Sequence, residues 1–155
     1  MGYFNNTGGR RMKDRLKITG IFHLKVFVDG VLKNEFTQKN MVVNRGRTNI
    51  VESLAEETTG NWIDRIAIGF SVDPPMPTDT IIAEAFIKPI DRFEYLGVGQ
   101  VRFHWELLPE ENNGAQLNNY GLVTENGTLF ARWFEEEVIP KRQNVHLIGH
   151  WTIII

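Results

Sequence analysis

Between Val101 and Leu107 the chain alternates without a fault. Val101, Phe103, Trp105 and Leu107 fall on one side, and Arg102, His104 and Glu106 on the other. A period of two predicts a strand with one buried and one wet face. Pro109, Glu110, Glu111, Asn112, Asn113 and Gly114 then end it. The pattern recurs. From Leu16 to Val28 the even positions Ile18, Gly20, Phe22, Leu24, Val26 and Val28 form an apolar face, with Gly20 marking a bulge or a close crossing. Asp29-Gly30 predicts a type I′ hairpin that returns over Val31 to Phe36. Asn40 to Asn44 reads as a short extended piece.

Helical spacing shows once, over Thr48 to Glu57, where Ile50, Val51, Leu54 and Ala55 share a face. Thr48 is placed to cap this helix and Gly60 to close it. Further strands are predicted over Trp62–Gly69, Ile87–Tyr95, Gln100–Leu107, Gln116–Val123, Thr128–Phe134 and Val145–Ile155. Asn126-Gly127 predicts a second I′ hairpin. Pro74, Pro75 and Pro77 make Ser71 to Thr80 a loop, Thr80 to Phe86 reads as an irregular turn, and Glu135-Glu136-Glu137 as a solvated bend. The apolar final strand must be central or covered, since left open it would be an aggregating edge. These elements predict an all-β fold, an antiparallel β-sandwich with a jelly-roll-like form of it open, carrying one short helix.

The 155 residues fit one domain over 16–155, and 42% apolar content with ten Phe and four Trp supplies a core. Without cysteine there is no disulfide, thiolate zinc site or redox motif. No apolar run has the ~18 to 20 residues of a membrane span, and the first residues lack the h-region of a signal peptide. Net charge is −2 but uneven: residues 1–17 hold five bases against one acid. A basic arm over 1–15 therefore precedes an acidic body. It reads either as a solvated tail or as a segment that orders against an acidic partner such as a neighbouring subunit through Arg10, Arg11, Lys13, Arg15 and Lys17. The acidic body argues against nucleic acid.

Candidate chemistry is sparse, and no catalytic residue, cofactor or metal site is expected. His146 and His150 stand four apart, a chelating spacing on a helix; on a strand at ~3.3 Å per residue they lie roughly 13 Å apart. His23 and His104 occupy polar faces of separate strands, where either can pair with a carboxylate. Ser71 lacks the spacing of a hydrolase elbow. Glu110 to Gly114 hints at a calcium loop without its alternating ligands. Most rings fit the core; Trp62, Tyr95 and Trp133 are the candidates for a carbohydrate platform, and Trp62, Tyr95, Glu110 and Glu111 for a recognition surface.

The order of segments resembles small structural proteins of tailed bacteriophages and prophages. Ile18 to Val26 with Asn40 to Gly46, Ile66 to Ser71 with Pro77 and Asp79-Thr80, Val101 to Trp105 with Glu111 to Gly114, Tyr120-Gly121-Leu122 leading into Gly127 to Arg132, and Gly149 to Ile154 carry the likeness over residues 16–155. The resemblance implies a virion component with no catalytic residues, assembled in the host cytoplasm and acting as a homo-oligomer, plausibly a trimer, with other virion proteins. A tail, baseplate or fibre-associated part leads; a capsid decoration protein and a carbohydrate- or receptor-binding module are the alternatives. Neither nucleic acid nor membrane is an expected partner.

Overall fold

The computed structural model describes residues 17–55 and 59–155. The expected arm over 1–15 lies outside the described residues. The chain opens with β1 (Thr19–Val28) and β2 (Val31–Val42), then α1 (Asn44–Leu54) and β3 (Ile63–Gly69). After a long loop come β4 (Phe86–Pro89) and β5 (Arg92–Gly97), then β6 (Gln100–Leu107), β7 (Gln116–Thr124), β8 (Leu129–Pro140) and β9 (Val145–Ile154). All nine join one antiparallel sheet in the order β4-β3-β7-β8-β2-β1-β9-β6-β5. The fold is therefore all-β and antiparallel, with a single short helix among the described residues.

β4 and β5 stand at opposite ends of that order yet are separated in the chain by Ile90 and Asp91 alone. The sheet must curl until its two ends meet. At the corner, Ile90 N–H donates to Asp64 O (2.8 Å) in one half, and Asp91 N–H to His104 O (2.9 Å) in the other. The predicted single strand Ile87–Tyr95 is thus two strands: one continuous backbone cannot serve both ends of the sheet without turning. The curl encloses the core. Phe22 on β1 lies 5.0 Å from Tyr120 and 6.1 Å from Trp133 across the interior, and 5.0 Å from Trp151 beside it.

Local signals hold best where one face is buried. Phe22, Leu24 and Val26 point inward on β1, as do Phe103, Trp105 and Leu107 on β6. Asp29 and Gly30 both have positive φ (52° and 76°), the signature of a I′ turn. β9 runs between β1 and β6, so the apolar last strand is central. Gly20 is a close crossing rather than a bulge: it pairs regularly with Asn40 and Ile153, and a Cβ there would meet Asn40 Oδ1 at 2.1 Å. That space lets Asn40 accept the buried Trp151 indole N–H at 2.7 Å. Gly149 likewise makes room for the Trp105 ring, 2.3 Å from where its Cβ would stand.

Five further expectations are corrected. Val31–Phe36 and the start of the Asn40–Asn44 piece are one strand, because β2 runs on to Val42 and pairs with β1 from Val31 to Asn40, while Asn44 already belongs to α1. The helix begins at Asn44, not Thr48, and has no side-chain cap. Its buried residues are Gly46 and Asn49, while Leu54 is 82% exposed. Gly46 decides this: the helix lies so close to β8 that a Cβ would stand 2.3 Å from Phe130 O. Gly60 has φ of 74° but comes well after the helix ends, so it is no cap. Asn126-Gly127 is not a I′ turn: Gly127 alone has positive φ, and Gly127 N–H closes on Thr124 O at 2.8 Å. Finally, Glu135 to Glu137 do not form a bend; β8 carries them through to Pro140.

Candidate functional site

The outer face of the β2-β1-β9-β6-β5 half carries the densest chemistry. Register places His23, His150 and His104 abreast on three adjacent strands, since His23 and His104 both pair with His150. The His23 and His150 rings stack at 4.4 Å and 3°. His104 tilts against His150 at 5.7 Å. A carboxylate closes each end of the row: Glu35 lies 3.1 Å from His23 Nε2, and Glu94 lies 2.7 Å from His104 Nε2. Thr37 Oγ1 meets His23 Nδ1 at 2.6 Å. The expectation that His23 and His104 pair with carboxylates is met. That His150 joins them needed the register and was missed. His146 sits farther along β9, 2.7 Å from Glu106.

Electrostatics in the row follow from solvation. Burial holds the His150 imidazole down to about 4, with Arg102, His23, His104 and Lys25 adding positive surroundings. Its Nδ1 is buried without a partner. The hydrogen bond from His104 holds Glu94 below its ordinary range. At neutral pH a central uncharged ring is thus flanked by two acid–imidazole pairs. The central His150 ring can take up a proton as pH falls toward 4. Among the described residues, no three His, Asp or Glu side chains are grouped to hold a metal ion.

The loop over Leu108–Ala115 is filled by an internal cation. Lys141 is 0% exposed, and its Nζ donates to Pro109 O, Asn113 Oδ1 and Arg142 O at 3.0 to 3.1 Å. Burial lowers its pKa. Of the side chains that hinted at calcium, Asn113 gives its Oδ1 to this ammonium. Glu111 serves the same loop: its Oε1 accepts from Lys88 Nζ at 2.7 Å and from Leu108 N–H at 3.0 Å. Burial opposes its charge, but those bonds win and lower its pKa. Glu110 is exposed.

The other proposed recognition residues do not converge. Trp62 is 54% exposed at the start of β3, where its carbonyl accepts Glu125 N–H. Tyr95 is 80% exposed on edge strand β5, at the far end of the sheet order. Trp133 packs against the core. Tyr95 does have company that the sequence reading overlooked. Phe93 packs edge-on against it at 5.8 Å, and Leu96, Val98 and Ile155 are also exposed nearby in the β5–β6 turn and at the chain end. Period two could have flagged Phe93. Phe93 and Tyr95 pair with Phe103 and Val101, so they continue the core side of the sheet. They are core-type positions that this chain leaves uncovered.

Of the five arm residues, Arg10, Arg11, Lys13 and Arg15 lie outside the described residues; Lys17 is exposed just before β1. Among the described residues no helix is long and apolar enough to cross a membrane. No protein-family model matches the chain, and comparison with curated proteins and with solved structures returns no match.

Proposed function

We propose that this protein is a non-enzymatic structural component of a phage virion, a tail, baseplate or fibre-associated part that assembles through its β-domain and reaches a neighbour with its basic arm. One observation carries the assembly part. The core side of the sheet runs on past its cover at β5, leaving Phe93, Tyr95 and Val98 in water. Clustered exposed apolar side chains on a strand with a free edge mark a surface that another chain covers. The likeness of the strand and turn spacing to phage structural proteins supports the virion setting, with a capsid decoration protein as the alternative position.

The test has two arms. Phe93→Lys with Tyr95→Lys should leave the circular dichroism spectrum intact and turn a self-associating protein into a monomer by sedimentation. Removing residues 1–15 should leave the domain folded but lower its incorporation into particles. Wild-type protein that stays monomeric at every concentration, or truncated protein that incorporates normally, defeats the reading. The exposed Trp62 favours a second reading, a glycan- or receptor-binding module. Micromolar binding on a glycan array, lost on Trp62→Ala, would support it over assembly.

A further inference from the structure

β2 is bound very differently on its two sides. Along β1 it is paired from Val31 to Asn40. Toward β8, among the described residues, the ladder pairs are Met41 with Arg132 and Val42 with Ala131 alone. Below that seam the strands diverge. β2 and the second half of β8 each present a strand edge to a wedge-shaped groove of about 630 Å³. Val26, Phe36 and Ile139 give it apolar walls; Glu135, Glu137 and Lys33 give it charge. Trp133, on the strand that forms one wall and 6.5 Å from Phe36, has a buried indole N–H with no acceptor. A groove between two open strand edges, with backbone donors and acceptors along both, is shaped for an extended segment rather than a compact ligand.

The start of the chain contains a fitting segment, of which Lys17 lies among the described residues. Arg11, Lys13, Arg15 and Lys17 recur every second residue, with Met12, Asp14 and Leu16 between them. As a strand this segment has one basic face, and Glu135 and Glu137 are likewise two apart on β8. Opposite charges facing across a strand pair are favourable. We infer that residues 11–17 of a second copy of this chain add as a strand to the open edge of β8, antiparallel to it, with their basic face against Glu135 and Glu137. The inference rests on the arm-mediated assembly proposed above and names its seat.

The occupant comes from another copy because the chain's own segment has no slack. Thr19 is already paired with Ile154, and Gly20 with Asn40 and Ile153. The groove lies beyond β2, roughly 10 Å from β1 at ~4.8 Å per strand. Lys17 and Ile18 together reach only about 7 Å at ~3.3 Å per residue and would also have to reverse direction. A second copy enters without a reversal.

Because the chain has no cysteine, engineered thiols report without background. Full-length Lys13→Cys and Glu137→Cys chains with different tags would be mixed and treated with a short bis-maleimide. A cross-linked species carrying both tags is expected, and Thr37→Cys in place of Glu137→Cys should give at least tenfold less. Glu135→Lys with Glu137→Lys should weaken self-association at least tenfold by sedimentation, and Lys13→Glu with Arg15→Glu in the same chain should restore it. If the protein self-associates but no both-tag species forms, the groove assignment is overturned while the assembly reading stands. If a Lys13→Cys, Glu137→Cys double variant closes only within one chain, the second-copy occupant is overturned. A protein monomeric at all concentrations overturns both.

Discussion

The β1-β9-β6 region and the β2–β8 seam are built from similar strands and hold together in different ways. In the first, β9 is paired with both neighbours nearly end to end, and Phe22, Trp105, Leu147 and Trp151 close over one another with no exposed ring among them. At the seam, two residue pairs join the strands before they part. The first region is cohesive through apolar area, which is non-directional and additive. The second is pinned by polar geometry. Arg132, itself paired with Met41 across the seam, sends Nε to Asn119 Oδ1 (2.8 Å), Nη1 to Asp79 Oδ2 (2.7 Å) and Nη2 to Asp73 O (2.8 Å), strapping the proline-rich loop against the sheet. A region held by area should fail gradually under truncation, whereas one held by a pin should fail when the pin goes.

The largest effect should therefore come from Arg132→Met. Breaking a mostly buried ion pair and stranding its partners costs about 3 to 5 kcal/mol, and urea unfolding with tryptophan fluorescence measures it. A loss under about 1 kcal/mol would mean the seam does not depend on Arg132. Next, Gly149→Ala puts a methyl against the Trp105 ring in the paired region. Overpacking of this kind costs about 1 to 3 kcal/mol, and a thermal melt should show a lower Tm with the near-ultraviolet tryptophan signal altered.

The paired region also contains the titrating row. His150 is held near 4 in the fold, against an ordinary value near 6.5. The unfolded chain thus binds more protons than the folded one between those values. The stabilising contribution of the neutral ring is present above pH 6.5 and is lost as pH falls toward 4. Allowing for partial solvation, its size is on the order of 2 kcal/mol. His150→Gln should flatten the difference in unfolding free energy between pH 7 and pH 4.5 by that amount; an unchanged slope would rule out His150 as its source. The smallest effect belongs to the groove wall. Ile139→Ala, at a half-buried position, should cost under about 1.5 kcal/mol, whereas Leu147→Ala at a fully buried one costs about 2 to 5 kcal/mol. In hydrogen exchange the amides of β2 that face away from β1 should exchange orders of magnitude faster than those of β9. Equal protection would show that the groove is closed.

Sequence alone determined the strands whose alternation reflects one buried face, from Phe22-Leu24-Val26 to Phe103-Trp105-Leu107, and the Asp29-Gly30 turn, because period and turn chemistry are properties of neighbours in the chain. It also gave His23 and His104 their carboxylate pairing in kind. Only the tertiary structure decided that His150 stands between them, that Lys141 fills the loop read as a calcium hint, that Ile87–Tyr95 is two strands, and that β8 runs through its three glutamates. Each of these depends on which strand lies beside which, and on register. Register joins residues 40 to 135 positions apart, where local periodicity carries no information. The helix shows the same limit: its apolar spacing suggested one buried face, and the contact of Gly46 with the Phe130 carbonyl selected another.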